Sequence, residues 1–389
     1  MDAAHETGTP RPVTVPLGAT VSVGVPAPAS GGSRQLAEPQ REPGAIRVTG
    51  APQEGGLLDR FGRVATDLRV SVIDKCNLRC TYCMPAEGLP ALPREQALDA
   101  DEIVRLVGIG VRDLGIRQVR FTGGEPLLRA DLIDIVRRVA AIDPRPEVSL
   151  TTNAIGLAHR AQALADAGLD RVNVSLDSLH AETFMKVSRR PFLDKVLAGV
   201  DAAAAAGLTP VKINAVLLPG INDHEAPDLL AWALRGGHEL RFIEQMPLDA
   251  DRSWDRASFV TSRDIHSLIA TRFDLSPADV ERDGAPAELF DAVGRGDDAG
   301  LAGRVGIIAS VSEPFCADCR RTRMTAEGGI RSCLFSGGET GLRDLLRSGA
   351  SDLELADAWR GAMWAKPSGH GIDDPDFVQP ERTMSAIGG

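Results

Sequence analysis

From residue 57 onward, short apolar runs alternate with longer helical patterns, and that alternation sets the expected architecture. Residues 68–73 read as a strand, 101–112 as a helix, 116–121 as the next strand and 130–140 as the helix after it. The rhythm continues through a strand at 147–151, a helix at 158–167, a strand at 171–176 and an Ala-rich helix at 194–206. Strands at 211–217 and 240–245 complete it. Six βα units with short links predict an α/β fold on a parallel sheet, open or closed into a partial barrel. Beyond about Asp249 the rhythm breaks: 291–303, rich in Gly and Asp, predicts a loop, and a short strand is expected at 305–311. Three segments follow: a disordered tail over 1–55, a βα region over 56–249 and a smaller C-terminal region over 250–389. The tail is rich in Pro, Gly, Ala, Ser and Thr and has no sustained periodicity.

Composition narrows the class. A length of 389 residues, 43% of them hydrophobic, suits one large globular domain or two moderate ones. No run of eighteen apolar residues occurs, so no membrane span is expected. The first six residues lack the basic start of a secretory signal, which predicts a cytoplasmic protein. A net charge of −11 argues against a general nucleic-acid binder, because phosphate binding takes a basic field. A small anionic ligand responds to local arginines instead.

The polar residues of interest lie in or just after predicted strands, the rim where a parallel barrel gathers its active site. Cys76, Cys80 and Cys83 follow the first strand with Cys-x3-Cys-x2-Cys spacing. Three thiolates can hold three irons of a 4Fe–4S cluster and leave the fourth open to a small molecule. A structural zinc site wants four ligands, and no fourth Cys or His is near. Gly123-Gly124-Glu125-Pro126 comes directly after the second strand; alone it would be a tight turn. Cys316, Cys319 and Cys333 form a second triplet, which by itself suits zinc and iron–sulfur equally; His370, the next candidate ligand, is distant in sequence. Arg320, Arg321, Arg323 and Arg331 flank it. An arginine run is ordinarily a solvated surface, but fixed beside a metal site its guanidinium forks fit the oxygens of a triphosphate.

The first triplet, with Tyr82 before its third cysteine, resembles the signature of the radical S-adenosylmethionine superfamily. In that superfamily the open iron chelates the methionine group and one electron releases a 5′-deoxyadenosyl radical. Both triplet spacings together with the segment 67–72, the Arg-x-Arg at 321–323 and Cys333-Leu334-Phe335 resemble the GTP 3′,8-cyclase family, over about residues 62–389. The resemblance implies an incomplete (βα)6 barrel with a second iron–sulfur cluster in the C-terminal region. It implies cyclisation of GTP to 3′,8-cyclo-7,8-dihydro-GTP, the first step of molybdenum cofactor biosynthesis. The radical would take the ribose H3′, and the new C3′ radical would attack guanine C8. By matching motifs, Tyr82, Gly124, Ser175 and Met246 are implied to contact S-adenosylmethionine. Arg69, Arg120, Thr151, Lys212, Arg241, Arg321 and Arg323 are implied to contact GTP. Arg321, Arg323 and the terminal Gly388-Gly389 are implied to serve catalysis. An electron donor, a homodimer and hand-off to a downstream cyclic pyranopterin monophosphate synthase complete the implied partners. Gln118 departs from the pattern, since many relatives carry a basic residue there.

Two other readings compete. A two-cluster radical enzyme acting on a peptide would have no need of the arginine group. A metal-stabilised interaction module would not need six βα units with chemistry at the strand ends.

Overall fold

The computed structural model describes residues 50–90 and 92–387. Most of the predicted tail and both terminal glycines, Gly388 and Gly389, lie outside the described residues. A small antiparallel hairpin, β1 (Leu57–Leu58) and β2 (Val64–Ala65), precedes the main sheet. Six parallel strands follow: β3 (Asp67–Ser71), β4 (Gln118–Thr122), β5 (Glu147–Thr152), β6 (Arg171–Ser175), β7 (Lys212–Val216) and β8 (Glu239–Ile243). The helices between them are α1 (Ala100–Arg112), α2 (Leu132–Ala140), α3 (Ala161–Asp166), α4 (Ala181–Ser188), α5 (Leu193–Ala205) and α6 (Ala226–Arg235). The predicted helix at 158–167 is in fact a 3-10 turn, Leu157–His159, running into α3.

The strands alternate, and the alternation decides what the barrel holds. Leu68, Val70, Val119, Phe121, Val148, Leu150, Val172 and Val174 are fully buried on the outer face, under the helices. Register pairing then sets Arg69 beside Arg120, Arg120 beside Ser149 and Asn214 beside Arg241 on the other face. Parallel strands buried on both faces are usually continuous apolar runs. Here one face is apolar core and the other is a polar interior.

The C-terminal segment completes the same sheet rather than building a separate one. It contributes α7 (Ser262–Ile269), β9 (Phe273–Pro277), β10 (Glu288–Gly294) and β11 (Ala302–Ile308), then β12 (Arg321–Met324), β13 (Gly329–Arg331) and β14 (Thr340–Gly341). Helices α8 (Arg343–Arg347), α9 (Asp352–Trp364) and α10 (Met384–Ile387) close the chain. β12 joins β3 in parallel and β11 joins β8 in parallel, so C-terminal strands flank both edges of the six. The order β14-β13-β12-β3-β4-β5-β6-β7-β8-β11-β10-β9 does not close on itself, and the barrel is incomplete. The loop expected at 291–303 is loop over 295–301, and its two ends are strand: β10 and β11 pair antiparallel, with Asp291 opposite Arg304 at 3.5 Å. A favourable cross-strand charge pair holds a segment whose composition reads as loop. Trp359 of α9, fully buried, packs behind β12 and donates its indole N–H to Thr322 Oγ1 at 3.0 Å.

Candidate active site

A cavity lies on the polar face of the sheet. Its wall carries both cysteine triplets, so the sequence-distant groups 76–83 and 316–333 meet across one space. Tyr82, Gly124, Ser175 and Met246 line it, as do Arg69, Arg120, Thr151, Arg241, Arg321 and Arg323.

The first triplet sits on the loop leaving β3. Cys83 and Met84 donate their amides to Cys80 O, both at 3.0 Å, which winds the loop into a turn. Cys76 Sγ accepts from Leu78 N at 3.4 Å and from Asn153 Nδ2 at 3.7 Å. Burial pushes all three thiols up, Cys83 to about 12; Cys83 and Cys76 raise Cys80 further, and Cys76 raises Cys83. Three buried thiols that feel one another's charge suit a group that binds them as thiolates. Among the described residues, no three His, Cys, Asp or Glu side chains converge as ligands of one ion must. A 4Fe–4S cluster spreads its thiolates over separate irons, and the donor set fits it.

Gly123 and Gly124 press against the loop that carries these cysteines. A Cβ on Gly123 (φ 143°) would lie 2.2 Å from Ile73 O, and one on Gly124 would lie 2.3 Å from Lys75 O. Their missing side chains are thus needed first for the fit of backbone against backbone. Glu125 is buried and accepts from Asn153 N, Thr152 Oγ1 and Leu127 N at 2.7, 2.7 and 2.9 Å; burial still raises its pKa to about 7. Tyr82 OH donates to Asp177 Oδ2 at 2.7 Å, while Val216 N donates to Oδ1 at 2.9 Å. Burial raises Asp177 to about 6.

The second triplet has different company. Cys319 Sγ accepts from Arg321 Nη2 at 3.4 Å and from Lys366 Nζ at 3.3 Å. Burial alone would raise this thiol, but the two cations outweigh it and bring it to about 6. Arg321 also stacks on Phe315 at 4.7 Å. His370, remote in sequence, reaches the same wall with Nε2 lacking a hydrogen-bond partner.

Below the cysteines lies a guanidinium layer. Burial lowers Arg69 and Arg120 to about 9 and Arg323 to about 10, with neighbouring arginines adding to the shift. Burial would raise Asp67, but Arg120, Arg69, Arg321 and Arg323 hold it below the usual carboxylate value. Arg69 Nε is buried without a hydrogen-bond partner. So many buried like charges ask for a polyanion between them.

Several expectations need correction. Lys212 does not line the cavity; it lies a layer deeper, 3.8 Å from Glu239, with burial lowering it to about 8. Arg320 turns outward to Asp283 and Asp318, and Arg331 is tied to Glu339 at 2.7 Å. Neither is on the cavity wall: Arg320 precedes β12 and is drawn out by its carboxylates, and Arg331, on the same face as its pair partner Arg323, is held back by Glu339 and the Leu334 and Ser336 carbonyls. Gln118 is exposed at the start of β4, away from the cavity wall. Sequence reading missed Asn153, Asp177 and Ser385 on the wall, and Lys366 and Arg171 behind it; His370, a candidate remote in sequence, is on the wall. Asp177 carried a signal, since it lies two residues after Ser175 at the end of β6.

Fold and cysteine geometry define a radical S-adenosylmethionine enzyme: the family model described as the radical SAM superfamily matches residues 70–233. That described as Molybdenum Cofactor Synthesis C matches 238–372. The chain is 62% identical over 344 residues to the GTP 3′,8-cyclase of Paenarthrobacter nicotinovorans, covering 86% of this chain and 97% of that one. It is 59% identical over 344 residues to the GTP 3′,8-cyclase of Streptomyces coelicolor, covering 87% and 98%. The chain belongs to the GTP 3′,8-cyclase family. Membership of the superfamily carries with it a 4Fe–4S cluster and S-adenosylmethionine. Among solved structures, Streptococcus suis SuiB bound to S-adenosylmethionine matches with a TM-score of 0.53 over 82% of this chain and 76% of that one. At 14% identity that is a likeness of fold. No helix among the described residues is long and apolar enough to cross a membrane.

Proposed function

We propose that this chain cyclises GTP to 3′,8-cyclo-7,8-dihydro-GTP, the first step of molybdenum cofactor biosynthesis, using two 4Fe–4S clusters and S-adenosylmethionine. The observation that carries the reading is the two cysteine triplets facing one cavity with a guanidinium layer beneath them. When bound, the first cluster supplies the electron that cleaves S-adenosylmethionine.

The residues do the rest by position and charge. Tyr82, held by Asp177, and the Gly124 backbone, which donates its N–H to Ile73 O at 2.7 Å, form a rigid seat beside the first triplet. Ser175 and Met246 complete that seat. Arg69, Arg120, Thr151, Arg241, Arg321 and Arg323 grip the triphosphate, with Lys212 acting from the deeper layer. The purine then lies toward Cys316, Cys319 and Cys333, which would hold the second cluster by three thiolates; a cluster so held would supply a Lewis-acidic site for the base. The new bond joins C3′ and C8 of one nucleotide, so holding both carbons close is most of the task. Met246 packs with Leu248, Leu334, Phe335 and Ile387, and this apolar plug keeps water from the reacting carbons.

Ile387, immediately before Gly388 and Gly389, is fully buried in that plug, and those glycines serve catalysis. Deleting them leaves GTP binding and clusters intact and nearly stops turnover. Each turnover consumes two electrons from an external donor, and a reactive product of this kind suits hand-off to cyclic pyranopterin monophosphate synthase. The enzyme works in the cytoplasm as a homodimer. A peptide substrate would leave the guanidinium layer without a partner. The decisive experiment is anaerobic incubation with GTP, S-adenosylmethionine and dithionite. Formation of 5′-deoxyadenosine with the cyclised nucleotide is expected; 5′-deoxyadenosine whose release ignores GTP would defeat the assignment.

A further inference from the structure

Two buried cations grip the cysteine turn at 316–319 from outside the cavity. Lys366, 3% exposed, follows α9. Its Nζ donates to Cys319 O at 3.1 Å, Cys319 Sγ at 3.3 Å and Arg321 O at 3.0 Å, so its three N–H groups all go to the start of β12. Arg63, from the β1–β2 hairpin, reaches the other end of the turn. Its Nη1 donates to Cys316 O at 2.6 Å and Ser368 O at 2.8 Å, and its Nη2 to Pro367 O at 2.6 Å. Asp59 Oδ2 fixes its Nε at 2.5 Å. Each cation thus holds the turn, and Arg63 also holds the segment that presents Lys366.

We propose that Lys366 is a positioning residue of the second cluster, setting its reduction potential above that of the first through an N–H···S bond and its charge. Arg63 fixes the same turn through carbonyls alone. The inference rests on the two-cluster reading above. Hydrogen bonds to cysteine sulfur and local charge are principal determinants of cluster potential. At the first triplet the donors to Cys76 are neutral, Leu78 N and Asn153 Nδ2, and the charges felt there include Asp177 and Glu125. Arg321 also donates to Cys319, but it faces the cavity, where a substrate anion competes for it. Lys366 is not on the cavity wall, so its effect is the same with and without nucleotide.

The test is redox titration followed by electron paramagnetic resonance on reconstituted full-length enzyme, with iron counted in each sample. Wild type should hold about eight irons and show two transitions. Lys366→Met should move the second-cluster midpoint to a more negative potential and leave the first where it was. Lys366→Arg should retain most of the wild-type value. Arg63→Met, which removes charge but no bond to sulfur, should shift the second midpoint less than Lys366→Met does, and should lose the second cluster faster to a chelator. Equal second-cluster midpoints in wild type and Lys366→Met, or equal shifts in both clusters, would overturn the role. Should Lys366→Met hold only about four irons, Lys366→Gln replaces it; its neutral donor should still give a lower second midpoint, and a wild-type value would overturn the role. A wild type with only about four irons would defeat the two-cluster reading, and this role with it.

Discussion

The two cysteine triplets use the same device in opposite surroundings. Around Cys76, Cys80 and Cys83 the ionisable neighbours are chiefly carboxyls: Asp177, raised to about 6, and Glu125, raised to about 7, both by burial. Around Cys316, Cys319 and Cys333 they are cations, and Cys319 falls to about 6 despite burial. Asp177, on the cavity wall beside the first triplet, suits a ligand with a sulfonium and an ammonium. A guanidinium-lined seat suits one with several phosphates. The difference between the halves of one cavity therefore sorts its two ligands by charge, without separate pockets.

The strongest way to break the comparison is to remove one thiol from each side. Cys80→Ala should abolish cleavage of S-adenosylmethionine, with iron falling from about eight to about four. Cys319→Ala should keep the first cluster's magnetic signature and lose GTP binding. If both variants lose the same cluster signal, the two triplets are not independent sites. Next in size, Arg321→Ala and Arg323→Ala should each weaken GTP binding by about 1.5–3 kcal/mol. Guanosine, without phosphates, should bind wild type and both variants alike, as equilibrium binding would report.

A comparable effect is expected from pH. Glu125 has a folded pKa near 7 against an ordinary 4.5, so the folded chain holds its proton more tightly than the unfolded one. Stability from this group is full below about 4.5 and falls as pH rises toward 7. Relative to Glu125→Gln, the wild-type metal-free chain should lose about 2.5 kcal/mol between pH 5 and 8. Parallel pH profiles in denaturant melts would show that Glu125 does not titrate in that range. The smallest effect is expected at Lys212. Because it stands behind the cavity wall beside Glu239, Lys212→Met should weaken GTP binding by less than about 1 kcal/mol.

Much of this was legible in the sequence. The six βα units and both triplets are local patterns, and local patterns survive reading in one dimension. Arginine polarity inside strands was visible too, since Arg69, Arg120 and Arg241 each sit between apolar residues. What failed was direction and long-range contact. Arg320 and Arg321 are adjacent in sequence, yet Asp283 and Asp318 draw one outward while the other lines the cavity. His370 and Lys366 meet Cys316 and Cys319 only through a turn that follows α9, which no spacing rule anticipates. Helix α9 itself had a readable start, since Ser351 and Glu354 form a capping box. β11 overlaps the strand expected at 305–311, but β10 was hidden by Gly and Asp content, which outweighed the alternation of Phe290 and Ala292.

The flanking of β3 by β12 and of β8 by β11 also governs how the protein is made. During synthesis β3 emerges with an open edge, and the strand that covers it begins at Arg321, some 250 residues later. At roughly 5–20 residues per second the ribosome takes about 13–50 s to deliver it. Through that interval the nascent chain presents unpaired backbone of the kind that recruits foreign strands. β3 begins Asp-Leu-Arg, and its alternating charges are the sort of sequence that discourages such pairing. The residues that later face the substrate would thus already serve the unfinished chain, as guards on an edge awaiting its partner.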